Sequence, residues 1–309
     1  MGDVIVIAGP TASGKSGLSL DLAKRIDAQI VSADSVQVYK YMDIGSAKVT
    51  KDEMGDIKHY LIDEFEPDYD FNVSVFTEYA LKYINEILKK GKTAIIVGGS
   101  GLYVDALVYD SYEFEKEEND YEYRNYLMKL SKEKGKEYIH SMLLRVDEES
   151  AKEIHPNNLK RVIRALEIYK ITGKKKSERE KKKKEFRFKN TYYFCLDEKR
   201  EELYKRIDLR VDQMIEQGLV QEVKGLLDRG YDERFNSMRA IGYKEIAGYL
   251  KGEMSLEEAV YIIKRDTRHF AKRQLTWFRR NEDVIWIDKN KYNTNDKIID
   301  YIRGFTDNE

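Results

Sequence analysis

A phosphate-binding sequence near the start of the chain constrains its fold more than any other feature. Residues 9–16 read Gly-Pro-Thr-Ala-Ser-Gly-Lys-Ser, which fits the P-loop pattern G-x-x-x-x-G-K-[ST]. The continuous apolar run Val4–Ala8 precedes it and a helical pattern over 16–26 follows, so the motif connects a predicted buried strand to a helix. This position predicts a polyphosphate site, although it does not distinguish ATP from a diphosphate ester.

Each part of the motif has a physical reason to bind a phosphate ester. Glycines let main-chain N–H groups point at an anion, the helix N-terminus adds partial positive charge, and Lys15 reaches the outer phosphate. The Ser16 hydroxyl is the predicted ligand of Mg²⁺, the one cofactor that we expect. The predicted diphosphate-binding residues are Gly9, Thr11, Ala12, Ser13, Gly14, Lys15 and Ser16.

Strand and helix patterns alternate along the first hundred residues. Further buried strands are predicted at 29–33 and 93–97, with an amphipathic helix at 73–90 between them. The alternation predicts an α/β fold, with a P-loop-type parallel sheet core flanked by helices. Ligand sites in such sheets lie at the carboxyl ends of strands. The P-loop, Asp34 and the glycine-rich residues 98–101 all occupy such positions.

The middle of the chain has a different pattern. Strand signals are absent from residues 112–189, where apolar residues have helical spacing among many charges. We predict a mostly helical insertion domain at 111–189. The core is then 1–110 with 190–309, and its second part contains strands at 191–196 and 284–287 and helices at 203–227 and 256–278.

Composition narrows the class of protein. Of the 309 residues 41% are hydrophobic, which is enough for a packed core. The single cysteine, Cys195, excludes an internal disulfide and is typical of a reducing compartment. No apolar run approaches the roughly 18 residues of a membrane span, and no basic segment precedes the first apolar stretch as in a signal peptide. We therefore expect a cytoplasmic protein with no membrane partner.

A formal net charge of −1 conceals an uneven distribution. Residues 174–189 contain ten bases and three acids, including four consecutive lysines at 181–184. Residues 264–280 contain seven Lys and Arg and one acid, interleaved with aromatic side chains. Because phosphate contacts need a local basic surface rather than a basic protein, the two tracts favour a nucleic acid partner.

Two short segments offer reactive groups near the P-loop. Asp34 follows the second strand and could hold Mg²⁺, accept a proton from a nucleophile, or cap a turn. The Gln37 amide pairs a donor with an acceptor, as the edge of an adenine requires. Residues 98–101, Gly-Gly-Ser-Gly, form a second anion nest with the Ser100 hydroxyl.

These segments resemble those of the tRNA dimethylallyltransferase (tRNA isopentenyltransferase) family, in the same order along the chain. The blocks that carry the resemblance are 9–16, 34–39, 42–48, 59–63, 98–103, 155–158, 161–167, 239–243 and 271–279. Ser16 and Ser100 stand where the family often or usually has threonine, and both keep the hydroxyl. The chain lacks the Cys/His-rich C-terminal extension of eukaryotic members, so it resembles the bacterial type.

The resemblance implies a reaction. A dimethylallyl group passes from dimethylallyl diphosphate to N6 of adenosine 37, beside the anticodon of tRNAs that read codons beginning with U. Asp34 would act as the base, while Ser100 and Arg239 would contact the departing diphosphate. The implied contacts to the anticodon stem-loop are Asp34, Ser35, Val36, Gln37, Ser100, Arg124, Lys160, Arg161, Arg164, Lys272, Arg273, Gln274, Trp277 and Arg279. We expect a monomer.

Three alternatives fit parts of the sequence. A P-loop nucleotide kinase fits the motif alone, but it has no use for the two basic tracts. A nucleotide-switched RNA-binding protein would bind RNA without a covalent product. An adenylate isopentenyltransferase would prenylate a free nucleotide, for which a helical insertion is unnecessary.

Overall fold

A computed structural model describes residues 2–110, 120–179 and 185–306. The chain divides into two compact units, Met1–Val108 with Arg187–Glu309, and Tyr109–Phe186. The insertion domain predicted from the sequence spans 111–189. The predicted lysine run at 181–184 lies outside the described residues.

One parallel sheet forms the centre of the first unit. Its strands are β1 (Val4–Ala8), β2 (Ala28–Ser32), β3 (His59–Tyr60), β4 (Thr93–Gly98), β5 (Thr191–Asp197) and β6 (Ile285–Asp288), in the order β3-β2-β4-β1-β5-β6. Val4 at the start of β1 lies opposite Ala94 of β4 and Thr191 of β5. Every residue of β1 is buried, as a continuous apolar strand in the middle of a parallel sheet should be. The predicted α/β fold is confirmed.

Helices cover the sheet of the first unit and make up most of the second. In chain order they are α1 (Lys15–Arg25), α2 (Lys51–Met54), α3 (Val73–Lys89), α4 (Gly101–Val108), α5 (Tyr121–Lys134), α6 (Lys136–Val146), α7 (Glu148–Glu153), α8 (Leu159–Thr172), α9 (Lys176–Arg179), α10 (Arg200–Glu216), α11 (Leu219–Asp228), α12 (Tyr243–Leu250), α13 (Leu256–Phe278) and α14 (Asn295–Thr306). Short 3₁₀ turns occupy Ser237–Arg239 and Lys289–Lys291. None of the described helices is both long and apolar enough to span a bilayer.

Most predicted element bounds agree with the structure to within a residue or two, with two exceptions. The prediction of one helix over 203–227 is wrong, because α10 and α11 are separated at Gly218, whose φ of 103° is left-handed and ends a regular helix. The prediction also omitted β3, whose two residues are too few to produce a periodic pattern.

The second unit has its own small core. Its buried side chains come from α5–α8 and from the residue that follows α7: Leu127, Ile139, Leu143, Ala151, Ile154, Val162, Ile163, Ala165 and Leu166. At its ends Tyr109 and Phe186 form an antiparallel bridge, and their rings stack with centroids 5.3 Å apart. The helical character predicted for this segment is therefore present over the residues that the structure describes.

Candidate active site

Three cationic side chains hold the carbonyl groups of the P-loop. Lys15 Nζ donates to the Pro10 carbonyl at 2.7 Å, Arg206 Nε to Ala12 at 3.0 Å, and Lys289 Nζ to Ser13 at 2.7 Å. Because these carbonyl groups point toward the cations, N–H groups of the loop can point to its opposite face, where they can bind an anion. The arrangement fits an anion receptor, as the sequence motif predicts.

The same loop has the backbone conformation that such a receptor needs. Gly9 and Gly14 have φ of 146° and 87°, where a side chain would be strained, and Ala12 also lies in the left-handed region at 61°. Gly14 precedes α1, so Lys15 and Ser16 are in a first turn whose N–H groups have no intrahelical acceptor. The Ser13 hydroxyl is buried without a partner among the described residues.

A cavity opens at the carboxyl ends of β1, β2 and β4. Thr11, Lys15, Ser16, Asp34 and Gln37 line it, all five predicted from the sequence as site residues. The other lining residues are Ser19, Ile30, Ser32, Ser46, Ala47, Val49, His59, Ile62, Val97, Gly98, Gly99, Arg210, Phe270 and Gln274. Polar groups and a set of apolar side chains therefore share one cavity.

The two carboxylate oxygens of Asp34 have different surroundings. Its Oδ1 accepts from the amides of Val36 at 2.8 Å and Gln37 at 3.3 Å, which is the turn-capping alternative considered for this residue. The turn leaves Oδ2 available to a ligand in the cavity. Ser35 is exposed, while Val36 and Gln37 are half-buried.

Two cations share the cavity with this carboxylate. Burial, followed by the neighbouring Arg210 charge, lowers the pKa of Lys15 to about 8, against the opposing effect of Asp34. Burial also lowers the pKa of Arg210, again opposed by Asp34. A ligand with several negative charges would compensate for the burial of both cations.

The Gln37 amide is held by a neighbouring loop. Its Nε2 donates to the carbonyl groups of Ser46 at 3.2 Å and Ala47 at 3.3 Å. Arg210 Nη2 donates to the same Ser46 carbonyl at 3.4 Å. These bonds fix the Gln37 amide with its nitrogen toward the loop.

Gln274 lies in the interior, although the sequence predicted it as an RNA contact. Its Oε1 accepts from the Thr11 amide at 2.8 Å, and its Nε2 donates to the Gly99 carbonyl at 2.9 Å. It therefore joins the P-loop to the glycine-rich turn after β4. A Cβ on Gly99 would lie 2.2 Å from Nε2, so only glycine allows this approach.

Ser100 and Arg239 are not among the residues that line the cavity. Ser100 precedes α4 and is half-buried, and its carbonyl accepts from the amides of Tyr103 and Val104. Arg239 is exposed, and its guanidinium donates to the carbonyl groups of Glu233 and Arg234. Their predicted contacts with the diphosphate remain predictions.

The basic face of α13 divides into exposed and inner positions. Lys272, Arg273 and Arg279 are exposed. Trp277 is half-buried and donates from Nε1 to Asp105 Oδ2 at 2.8 Å. Lys272 and Arg273 on α13 are therefore accessible, as is Arg279 directly after it, although Arg279 Nη2 also donates to Asp197 Oδ2 at 3.4 Å, whereas Trp277 is anchored in the interior.

The second unit also pairs some of its predicted RNA-binding residues internally. Glu167 is completely buried, and its carboxylate receives Arg124 Nε at 2.7 Å and Arg164 Nη1 at 2.6 Å. Lys160 and Arg161 are exposed on the first turn of α8. Only these last two fit the expectation of a solvent-facing basic helix surface.

Sequence reasoning missed the three cations contributed by other elements. Arg206 and Arg210 lie on α10, 194 residues or more beyond the loop that Arg206 contacts, and Lys289 lies 276 residues beyond Ser13. In the sequence they look like the many other charged residues of amphipathic helices. No local signal separates them, because their role depends on the long-range packing of α10 and β6.

Sequence comparisons with known proteins agree on one family. A sequence model of the IPP transferase family matches residues 37–281. The chain is 51% identical to the tRNA dimethylallyltransferase of Acetivibrio thermocellus over 306 residues, covering 99% of this chain and 97% of that protein. It is 50% identical to the enzyme of the same name from Lachnoclostridium phytofermentans over 300 residues, covering 97% and 96%.

Comparison with solved structures supports the same family. The full-length tRNA isopentenylpyrophosphate transferase of Bacillus halodurans superimposes with a TM-score of 0.72 at 41% identity, covering 99% of this chain and 97% of that one. A eukaryotic dimethylallyltransferase acting on tRNA gives a TM-score of 0.85 at 30% identity, covering 100% of this chain and 80% of that one. These relatives are prenyltransferases rather than nucleotide kinases.

Proposed function

Because this chain belongs to the tRNA dimethylallyltransferase (IPP transferase) family, we propose that its cavity binds dimethylallyl diphosphate and transfers the prenyl group to N6 of adenosine 37. The acceptor is the anticodon stem-loop of tRNAs that read codons beginning with U. The observation that carries the proposal is the meeting of the P-loop, the half-buried cations Lys15 and Arg210, and Asp34 in one cavity.

The diphosphate would lie on the P-loop. The first-turn amides of α1 and the charges of Lys15 and Arg210 would stabilise the negative charge that grows on the leaving oxygen as the allylic C–O bond breaks. The five-carbon chain would pack on apolar lining residues such as Ile62, Val97 and Phe270. One cavity would thus bind both halves of the donor.

The acceptor adenine would enter beside Asp34 and Gln37. Since an adenine amine is a weak nucleophile, Asp34 Oδ2 would remove its proton as N6 forms the new bond to carbon and diphosphate departs with the electrons of the C–O bond. A stacked base cannot present this amine, so the base must leave the loop stack. The amide of Gln37, held from behind by Ser46 and Ala47, would contact the base edge.

Mg²⁺ is compatible with the residues present. The Ser16 hydroxyl and Asp34 line the same cavity, and the residues that the structure describes contain no cluster of three or more His, Cys, Asp or Glu suited to a metal. Mg²⁺ usually takes few protein ligands and completes its shell with phosphate oxygens and water. Ser16 would hold it, and it would neutralise charge on the diphosphate.

We propose that accessible basic residues contact the RNA. They are Lys160 and Arg161 on α8, Lys272 and Arg273 on α13, and Arg279 directly after α13, all of which are exposed. The cytoplasm is the proposed compartment, supported by the single buried cysteine, Cys195. We further propose that the enzyme acts as a monomer.

The Asp34→Asn variant tests the chemical assignment. Asparagine keeps the Oδ1 acceptor that caps the turn and removes the base. We expect dimethylallyl-adenosine formation, measured by mass spectrometry of nucleosides digested from the tRNA, to fall by about 10²–10⁴-fold. Binding of dimethylallyl diphosphate, measured by calorimetry, should change less than about twofold.

The matched control is Asp52→Asn, an exposed carboxylate on α2, which should behave as wild type. Loss of diphosphate binding together with turnover would contradict the role of Asp34 as base. No prenylated nucleoside from the wild type, with consumption of ATP in a parallel reaction, would replace the proposed function with a kinase.

A further inference from the structure

Glu222 on α11 lies outside the cavity but binds one of the loops that line it. Its carboxylate accepts from three consecutive backbone amides, Asp43 at 2.9 Å, Ile44 at 2.7 Å and Gly45 at 3.1 Å. It also accepts from the Tyr243 hydroxyl at 2.7 Å. Four donors converge on one carboxylate, which is the pattern of an anion bound in a backbone nest.

Tyr243 completes this arrangement from the other side. It is fully buried at the start of α12, and its ring lies so close to the loop that a Cβ on Gly45 would be 2.6 Å from it. Burial, followed by the neighbouring Glu222 charge, raises the pKa of Tyr243, so the hydroxyl stays protonated and donates. The motifs at 42–48 and 239–243 are thereby joined.

The bound amides immediately precede two carbonyl groups with a role at the cavity. Ser46 and Ala47 follow Gly45 directly, and their carbonyl oxygens accept from Gln37 Nε2. A shift of the loop would move both acceptors together. The orientation of the Gln37 amide therefore depends on the position that Glu222 fixes.

We propose that Glu222, assisted by Tyr243, is a positioning residue that orients Gln37 for the acceptor base. The proposal rests on the proposed function, since it assumes that Gln37 contacts the adenine. Glu222 touches no substrate; it acts through the loop at 43–47. Arg210 donates to the Ser46 carbonyl alone, at 3.4 Å, whereas Gln37 donates to both Ser46 and Ala47, so a shift of the loop should affect Gln37 more than Arg210.

A double-mutant cycle between Glu222→Gln and Gln37→Ala tests this coupling. The measurements are kcat and KM for the stem-loop RNA and KM for dimethylallyl diphosphate. Glu222→Gln keeps the size of the side chain and one acceptor oxygen. We expect kcat/KM for the RNA to fall about tenfold, with KM for the diphosphate within about twofold of wild type. In the Gln37→Ala variant, Glu222→Gln should lower kcat/KM for the RNA by less than about twofold.

A structural role predicts a different result. If Glu222 only stabilises the fold, Glu222→Gln will lower kcat/KM for the RNA by the same factor with Gln37 and with Ala at position 37, or it will raise KM for the diphosphate as much as KM for the RNA. Either result overturns the proposal. Tyr243→Phe removes a single hydroxyl and should produce a smaller loss in the same RNA parameter; no loss there would also contradict the proposal. Glu216→Gln changes an exposed residue on α10 and is the charge-matched control, which should behave as wild type. Turnover of the wild-type protein in the same assay tests the proposed function itself.

Discussion

The two units of this protein use buried charge for different purposes. In the first, Lys15, Arg206 and Lys289 bind carbonyl groups of the P-loop, and Lys15 and Arg210 line a cavity. In the second, Arg124 and Arg164 surround the buried Glu167 carboxylate. Lys15 and Arg210 of the first unit are therefore available to an anionic ligand, although Arg206 also pairs with Glu198. The second unit satisfies Arg124 and Arg164 with its own carboxylate.

This difference shows why similar arginines require different interpretations. A cation that is buried beside few carboxylates lowers stability until a ligand compensates for it, so its position points to binding. A buried carboxylate between two arginines is already compensated, so breaking the set destabilises the fold. The following predictions test this contrast.

The largest expected effect is on the stability of the second unit. In Glu167→Ala the two guanidinium groups lose their common partner. Both arginines are about a third exposed, at 32% and 38%, so we expect a loss near the lower end of the known range, about 3 kcal/mol. Hydrogen exchange of peptides from α5–α8 should accelerate, while peptides from β1 and β4 keep their rates. Glu153→Ala, exposed on α7, is the control; equal acceleration in both units would show that Glu167 does not act locally.

A slightly smaller effect is expected from Arg210→Ala, and on activity rather than stability. Removing one preorganised cation from a site of developing charge typically costs about 10²-fold in turnover. The unfolding temperature should not fall, because the half-buried Arg210 has no ion pair among the residues that the structure describes and so contributes little to stability. Arg200→Ala, exposed on the same helix, should be silent. Loss of stability with unchanged turnover would make Arg210 the equivalent of Arg124.

The pH dependence of diphosphate binding should identify Lys15. With its pKa near 8, Lys15 is charged below that pH and neutral above it. Affinity for inorganic diphosphate, measured by calorimetry, should therefore weaken as pH rises through about 8, by up to about tenfold per further unit. Lys15→Arg stays charged and corrects for titration of the ligand itself. Identical pH profiles for the two proteins would exclude Lys15 as the titrating group.

The smallest predicted effect is the acid sensitivity of the second unit. Burial by itself would raise the pKa of Asp147, but hydrogen bonds from Ser150 and Ser177 lower it to about 2. The folded-state pKa is therefore below the ordinary value near 4, so the carboxylate stabilises this unit above pH 4 and loses that contribution as pH falls toward 2.

Asp147→Asn should reduce this dependence. Hydrogen exchange of α6–α8 peptides between pH 2 and 5 is the measurement, after correction for intrinsic rates, with Glu153→Gln as the control. An unchanged pH slope in Asp147→Asn would assign the acid sensitivity to another carboxylate.

The sequence predicted the first unit in more detail than the second because its signals are local. The P-loop sits between a strand and a helix that are both visible as patterns, and Asp34 follows directly on the next strand. Arg206, Arg210 and Lys289 could not be predicted. Arg206 and Arg210 reach the site only through the placement of α10, and Lys289 only because β6, which it follows, pairs with β5 next to β1. Trp277 lies in a basic, aromatic segment of the kind that binds RNA, yet its indole donates to the buried Asp105. The sequence alone does not show which face of α13 packs inward.

Hydrogen exchange of the wild-type protein with and without dimethylallyl diphosphate and Mg²⁺ tests the central contrast most directly. We expect slower exchange at the amides of Gly14, Lys15 and Ser16, where the first turn of α1 faces the ligand, and unchanged exchange over 120–179. The Thr11 amide, already bonded to Gln274, should change little. Protection confined to the second unit, or none at the P-loop, would contradict diphosphate binding at the P-loop.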